Sequence, residues 1–124
     1  MTEYKVVVTE KSSKWFNLEG QLHRVDGPAV VNVNGKFYYI NDELHREDGP
    51  AIEYANGDKF YYINDELHRE DGPAVENVNG KFYYINGERH REDGPAFEYA
   101  NGDKEYYIND RYLSETEFND ITNP

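Results

Sequence analysis

One eight-residue motif occurs four times in this chain, and it constrains the fold more than any other feature. The second and third copies are identical, Leu-His-Arg-Glu-Asp-Gly-Pro-Ala, and the four copies occupy residues 22–29, 44–51, 67–74 and 89–96. Their first residues lie 22, 23 and 22 positions apart. A fixed period of this size is typical of repeat proteins, in which each unit packs against its sequence neighbours. The 124 residues therefore predict one repeat domain.

Each period contains two β-rich segments joined by a turn signal. Runs such as residues 51–55 and 59–63 are rich in branched and aromatic side chains. Asn-Gly stands between such runs, at residues 34–35, 56–57, 79–80 and 101–102. Because both residues tolerate positive φ, Asn-Gly in this position predicts a tight hairpin. In alternate repeats an additional aspartate, Asp58 or Asp103, follows the glycine, and there we expect a three-residue or bulged loop.

The N-terminal part of the chain is a shortened copy of the repeat. Residues 14–23 align without a gap on residues 36–45. We therefore interpret residues 1–22 as a divergent half-repeat that caps the array, and residues 23–110 as four hairpin repeats of 22–23 residues.

Residues 111–124 form a different kind of cap. Ser114 and Glu117 have the spacing of a capping box, which predicts a short helix that packs Phe118 and Ile121 on the last hairpin. The predicted fold class is an all-β repeat protein. We expect an elongated, twisted antiparallel β-meander of about five hairpins with a short C-terminal capping helix.

Composition limits the partners and the compartment. The chain carries 13 Lys and Arg against 25 Asp and Glu, a net charge of −12. This charge repels phosphates, so we expect neither direct nucleic-acid binding nor membrane association. The absence of cysteine favours a reducing cytoplasm. The apolar run of Val6, Val7 and Val8 predicts a first strand, turned at residues 11–13, and is too short for a signal peptide or membrane span.

Histidines recur at the predicted corners of the sheet. Equivalent positions in successive hairpins lie two strand spacings apart, about 10 Å. Two ligands of one zinc ion must each approach to about 2 Å of the metal, so we expect no metal site and no cofactor. We interpret each imidazole as a partner of the turn backbone or of a nearby carboxylate. The four residues are His23, His45, His68 and His90.

An arginine follows each of these histidines and precedes an aspartate by two positions. The row consists of Arg24, Arg46, Arg69 and Arg91. The spacing favours an internal arginine–aspartate pair at each corner, and the alternative is a row that binds phosphate or carboxylate groups of a ligand.

Histidine and aspartate together also suggest a catalytic base. No serine or threonine accompanies them in any corner, and four equal sites are unlike a single asymmetric active site, so we predict no enzyme activity.

Paired tyrosines form the most informative surface. Adjacent strand residues point to opposite faces of a sheet. The second tyrosine of each pair is expected to share a face with Phe37, Phe60 or Phe82, whereas the first shares a face with the following isoleucine. The resulting stripe either stabilises the sheet through cross-strand pairs or forms a binding groove. Its members are Tyr39, Tyr62, Tyr84 and Tyr107.

Acidic residues cluster beside the corners, for example Asp42, Glu43, Glu47 and Asp48. Such a strip is usually a solvated edge that prevents sheet-to-sheet aggregation. The alternative is a surface that mimics nucleic-acid phosphates and occupies a basic groove of another protein.

Residues 54–60 and 63–68, Tyr-Ala-Asn-Gly-Asp-Lys-Phe and Ile-Asn-Asp-Glu-Leu-His, resemble MORN repeats. The resemblance covers residues 29–110 and departs after the histidine, where Arg-Glu-Asp precedes glycine. The variant is similar to repeats in proteins of bacteria, bacteriophages and large viruses. The resemblance implies a β-hairpin module for binding and assembly, without naming a ligand.

The sequence as a whole predicts a non-enzymatic module that binds a protein partner through the tyrosine stripe and the His-Arg corners. One alternative is a phage or viral inhibitor of a host defence protein, acting through the acidic strip, in the host cytoplasm if phage-encoded. Another is a sponge for a nucleotide-like small ligand, held by arginines and aromatic stacking. Near-identical units also offer self-complementary surfaces, which would suit a homodimer.

Overall fold

The computed structural model of the protein describes residues 3–123. Within these residues the chain forms 17 strands in antiparallel sheets and one short C-terminal helix, which confirms the predicted all-β meander with its capping helix. Met1, Thr2 and Pro124, which belong to the two predicted caps, lie outside the described residues. The chain divides into two compact units, with the boundary between Glu66 and Leu67. No helix in the described part is long and apolar enough to cross a membrane.

Nine strands lie wholly within the first unit: β1 (Lys5–Val8), β2 (Ser12–Phe16), β3 (Val30–Asn32), β4 (Gly35–Phe37), β5 (Tyr39–Ile40), β6 (Glu43–Leu44), β7 (Ile52–Tyr54), β8 (Lys59–Phe60) and β9 (Tyr62–Ile63). Six of them follow one another as antiparallel neighbours in the order β1-β2-β3-β4-β7-β8. β5 and β6 form a separate hairpin. β10 (Glu66–Leu67) spans the boundary between the units.

The second unit repeats this plan and adds the helix. Its elements are β11 (Val75–Asn77), β12 (Gly80–Phe82), β13 (Tyr84–Ile85), β14 (Glu88–Arg89), β15 (Phe97–Tyr99), β16 (Lys104–Ile108), β17 (Arg111–Leu113) and α1 (Glu115–Thr122). The sheet order is β11-β12-β15-β16-β17, and β13 pairs with β14 as a separate hairpin.

The two faces of each sheet differ in polarity because side chains alternate along a strand. In the first unit Val30, Phe37, Ile52 and Phe60 are cross-strand neighbours and form the apolar face. On the other face Lys36 and Lys59 flank Glu53, an arrangement of opposite charges that stabilises neighbouring strands. The most buried positions are the alanines that follow each Gly-Pro, which are fully enclosed: Ala29, Ala51, Ala74 and Ala96.

The run Phe-Tyr-Tyr-Ile was expected to be one strand, and the structure corrects this. β4 ends at Phe37, and at Tyr38 the backbone changes partners. The Tyr38 N–H donates to Ala51 O at 2.7 Å, and its carbonyl accepts from His45 N–H at 3.0 Å. The chain then enters the β5–β6 hairpin. Each such repeat therefore contains a second, shorter hairpin, which the sequence interpretation missed.

The missed hairpins contain the turns with paired positive φ. In the β5–β6 turn Asn41 and Asp42 have φ of 47° and 70°, the signature of a type I′ turn. Asn64-Asp65, Asn86-Gly87 and Asn109-Asp110 likewise have two positive φ values each. Asparagine, aspartate and glycine tolerate this region better than other residues do. The turn chemistry was therefore recognised correctly but assigned to the wrong dipeptides.

The Asn-Gly hairpins form, but not with the predicted geometry. Asn32 pairs with Gly35, so the loop residues are Val33 and Asn34, and Asn34 does not have a positive φ. Gly35 is needed for a different reason: a Cβ there would lie 2.1 Å from Glu53 O. The wider turns are confirmed as three-residue loops. Tyr54 N–H donates to Asp58 O at 3.0 Å, enclosing residues 55–57.

The N-terminal half-repeat carries one insertion that the gapless alignment did not detect. Trp15, not Phe16, takes the role of Tyr38: its N–H donates to Ala29 O at 2.7 Å and its carbonyl accepts from His23 N–H at 3.0 Å. The additional residue lies in a loop closed by Asn17 N–H and Gln21 O at 2.9 Å. The preceding turn was also displaced in the prediction, since β2 already begins at Ser12.

The C-terminal helix begins as predicted, with Ser114 as its N-cap. Ser114 Oγ accepts from Glu117 N–H at 3.1 Å, and Glu117 Oε1 accepts from Ser114 N–H at 2.9 Å. Phe118 is only 5% exposed and its ring lies 4.7 Å from that of Tyr106. Ile121 was expected beside it but is 55% exposed, near the C-terminal end of this short helix. That expectation was wrong.

Candidate binding site at the repeat corners

Each corner arginine is held by several acceptors of its own repeat. Arg46 Nε donates to Asp48 Oδ1 at 3.0 Å, and Nη1 donates to Pro50 O at 3.2 Å and to Glu53 Oε1 at 2.7 Å. Burial alone would lower the pKa of Arg46, but the hydrogen bonds to Asp48 and Glu53 raise it above its ordinary value. The guanidinium is therefore a fixed structural cation.

The same guanidinium lies between an aromatic ring and a glycine. Arg46 Cζ is 4.0 Å from the centre of the Tyr38 ring, a distance typical of a cation–π contact. On the corner loop, a Cβ on Gly49 would be only 2.9 Å from Arg46 Cζ. A side chain on the glycine of Asp-Gly-Pro would therefore force the guanidinium to move.

The other corners repeat this arrangement. The arginine–aspartate distances are 3.1 Å for Arg24–Asp26, 3.0 Å for Arg69–Asp71 and 2.9 Å for Arg91–Asp93. Bonding from Arg91 holds the pKa of Asp93 below its ordinary value. The predicted internal ion pair is confirmed at all four corners. Glu76 and Glu98 add a second carboxylate to Arg69 and Arg91, as Glu53 does for Arg46, whereas Val31 has that position in the first corner.

The corner histidines fix the turn of the following hairpin. The Nδ1 atoms of His23, His45, His68 and His90 accept backbone N–H groups of Asn41, Asn64, Asn86 and Asn109, at 3.0, 3.0, 2.9 and 2.9 Å. An imidazole that accepts at Nδ1 carries its proton on Nε2 when neutral. In three corners Nε2 faces the glutamate two residues on, at 4.0 Å for Glu47, 3.7 Å for Glu70 and 3.8 Å for Glu92. The interpretation of these residues as turn partners is confirmed.

The second tyrosine of each pair meets the corners through its backbone. The carbonyls of Tyr39, Tyr62, Tyr84 and Tyr107 accept the backbone N–H groups of Arg24, Arg46, Arg69 and Arg91, each at 3.1 Å. All twelve residues predicted as a site therefore belong to one recurring arrangement of histidine, arginine and tyrosine.

The rings of this tyrosine stripe pack on the apolar face of the sheet. In the second unit Phe97 lies 5.8 Å from Tyr84 and 5.2 Å from Tyr107, and Phe82 lies 4.9 Å from Phe97. Tyr84 and Phe82 thus share a face, as predicted. Burial raises the pKa of Tyr84 above its ordinary value. Cross-ring packing is the observed role of these side chains in the second unit.

An open groove lies between the two corners of each unit. In the second unit a groove of about 610 Å³ is bordered by residues 69–72 and 91–93, with Tyr83, Ile85 and His90 at its base. In the first unit a groove of about 650 Å³ is bordered by residues 24–27 and 46–48, with Tyr38, Ile40 and His45 at its base. The sequence interpretation assigned the binding surface to the other tyrosine of each pair. The alternation within Tyr-Tyr-Ile was the signal that could have indicated this base.

At the groove borders the arginine side chains are mostly buried, whereas the glutamate side chains are exposed. Arg69 and Arg91 expose 22% and 20% of their side-chain surface, whereas Glu70 and Glu92 expose 85% and 79%. Among residues 3–123 no group of three or more histidine, aspartate and glutamate side chains is placed to hold a metal ion. The grooves therefore present carboxylates above an aromatic and aliphatic base.

No family model, no curated protein and no solved structure matches this chain.

Proposed function

We propose that this chain is a non-enzymatic module that binds a protein partner at its repeat corners. The observation that supports this is an open groove between the corners of each unit, lined by corresponding residues except that Val25 in the first unit stands where the second has Glu70. Open grooves that recur in both units suit contact with a protein partner. They do not suit one reaction, which needs a single enclosed arrangement of different groups.

Within this proposal the histidines and arginines position the corners, and the groove residues between them make the contact. Every corner arginine uses Nε and Nη1 for contacts inside its own repeat. The resemblance to MORN repeats supports the same assignment, since such repeats imply binding and assembly. We assign the module to the cytoplasm, because a chain without cysteine has no disulfides to form and so fits a reducing compartment.

Site-specific photo-cross-linking tests the proposal. A benzophenone amino acid is placed at Glu70, which lines the groove, or at Asp120, which is also exposed and lies on α1. We expect one protein of the source cells to be cross-linked from position 70 and not from position 120. The same protein, purified, should bind the unlabelled chain in calorimetry. Equal labelling from both positions, or none from either, would contradict the proposal.

The exposed carboxylates favour one further candidate function, an inhibitor of phage or viral origin whose acidic corner surface occupies the nucleic-acid site of a host protein. In this case the cross-linked partner should itself bind nucleic acid, and the chain should displace it in competition. Binding should also weaken steeply as salt is added, because at 0.1 M salt charges separated by more than about 10 Å are largely screened from each other. The nucleotide-sponge alternative predicts instead an excess of absorbance near the nucleobase maximum in the purified protein, with no partner protein.

A further inference from the structure

We infer that the partner enters these grooves with a basic side chain, lysine above all. This inference rests on the proposed function and adds the chemistry of the partner.

The lining of the groove in the second unit offers both the apolar surface and the negative charge that a lysine side chain can use. Its base contains Tyr83 and Ile85, an aromatic ring and an aliphatic chain on which a four-carbon stem can pack. One face of the Tyr83 ring is already covered by Arg91, whose Cζ is 4.0 Å from the ring centre. Little of the Tyr83 ring therefore remains for a second guanidinium to stack on. A lysine needs less ring surface, because its charge is a compact ammonium on a flexible stem.

The carboxylates at the borders select for positive charge. The lining of this groove contains two arginines against the carboxylates of Glu70, Asp71, Glu92 and Asp93, a net charge of −2. Both arginines are bonded to aspartates of their own loops, at 3.0 and 2.9 Å. The carboxylates of Glu70 and Glu92 face the histidine Nε2 atoms at the longer distances of 3.7 and 3.8 Å. An ammonium entering the groove would thus meet two carboxylates that are exposed and weakly engaged.

The first unit contains a natural comparison. Its groove has the same base, with Tyr38 and Ile40, but Val25 occupies the position equivalent to Glu70. The lining then carries two arginines against three carboxylates, a net charge of −1. The groove of the second unit should therefore bind a basic side chain more tightly than the groove of the first.

The experiment uses the whole chain and three fluorescein-labelled pentapeptides, Gly-Ser-Lys-Ser-Gly and its acetyl-lysine and glutamate counterparts. Affinity is measured by fluorescence anisotropy, and the site by NMR shifts of the Tyr83 and Ile85 resonances. We expect the lysine peptide to bind and to move these resonances, and the other two peptides to bind at least about tenfold more weakly.

A pair of charge-matched variants separates a groove from general attraction to an acidic protein. The first variant combines Glu70→Gln with Glu92→Gln, at the groove. The second combines Glu115→Gln with Asp120→Asn, on the helix. Each variant removes two exposed carboxylates from the second unit. The first variant should lose affinity about tenfold, and the second less than about twofold. The substituted groove glutamates are exposed, so the fold should persist, which circular dichroism checks. Val25→Glu should raise affinity about threefold and add shifts at Ile40.

Equal losses in the two variants would show diffuse electrostatic attraction and overturn the inference. Tight binding of acetyl-lysine would show an apolar occupant, and tight binding of glutamate an anionic one, and either result would also overturn it. Absence of any peptide binding would do the same. The proposed function fails separately, when no protein is cross-linked from position 70. If a protein is cross-linked but its affinity is unchanged by the Glu70 and Glu92 substitutions, only the inference that a basic side chain enters the groove fails.

Discussion

The corner arginine shows most clearly how one residue determines the geometry around it. Its planar guanidinium donates in two directions in its own plane and stacks by its face, which a lysine ammonium cannot do. Arg91 combines bonds to Asp93, Pro95 and Glu98 with stacking on Tyr83. The dependence on arginine is therefore a matter of shape as well as of charge.

Replacing Arg91 by lysine tests this at constant charge. Arg91→Lys should lower the free energy of unfolding by about 2 kcal/mol, because the directed donors and the stacking are lost. Urea denaturation measures the change. Arg111→Lys is the matched control, since Arg111 is exposed on β17, and it should cost less than about 0.5 kcal/mol. Similar costs for both substitutions would show that only charge matters at the corner.

One tyrosine has an unusual acidity for a local reason. In the last repeat Glu105 stands where the preceding repeats have phenylalanine, and Tyr99 donates its hydroxyl to Glu105 Oε1 at 2.8 Å. This hydrogen bond, together with partial burial, raises the pKa of Tyr99 from 10.0 to about 12. The folded state therefore keeps a proton that the unfolded state releases. The stability from this bond is complete below pH 10 and is lost as the pH rises towards 12.

Carbon-13 NMR of the tyrosine rings at pH 11 checks this acidity. Tyr99 should remain protonated in the native chain, and Tyr99→Phe assigns its signal. Glu105→Phe, which restores the residue found in the other repeats, should make Tyr99 largely ionised at the same pH. A protonated Tyr99 in the Glu105→Phe variant would contradict the assigned cause.

At the level of elements, periodicity predicted which segments are strands but not where they end. The run Phe37 to Ile40 looks continuous because all four side chains favour strands. It breaks at Tyr38 because the corner loop supplies Ala51 O and His45 N–H as partners in two directions. Those partners lie outside the run and several residues away along the chain. Local propensity alone cannot place such a boundary.

The capping helix offers a direct comparison of two apolar residues that periodicity treated alike. Phe118→Ala should lower the free energy of unfolding by about 3 kcal/mol, because it removes a buried ring that packs on Tyr106. Ile121→Ala should cost less than about 0.5 kcal/mol, because Ile121 is exposed. Thermal or urea unfolding of both variants measures this, and a comparable cost for Ile121→Ala would place that residue in the core after all.

At the scale of the whole molecule, the net charge of −12 is the dominant electrostatic feature. The corner ion pairs are short and partly buried, so salt should affect them less than it affects repulsion among exposed carboxylates. We therefore expect Tm to rise by several degrees as NaCl increases from about 10 mM to about 0.5 M. Calorimetry measures this shift.

A variant with less charge provides the control for the salt effect. Replacing Glu47, Glu70 and Glu92 with glutamine removes three negative charges, so that the net charge changes from −12 to −9. Its Tm should be higher than that of the native chain at low salt and should rise less as salt is added. A Tm that falls with salt in both proteins would mean that attractive ion pairs dominate.

The repeat period, the antiparallel hairpins and the capping box were all determined by the sequence, because each depends on residues close together in the chain. The Arg–Asp pair belongs to the same class, since two positions separate its members. The tertiary structure alone decided what the arginine stacks on and which carboxylates remain exposed. These features depend on the backbone hydrogen bonds that join Tyr38 to Ala51 O and to His45 N–H. No pattern within the Tyr-Tyr run encodes these contacts, because both partners of Tyr38 lie in the corner loop outside it.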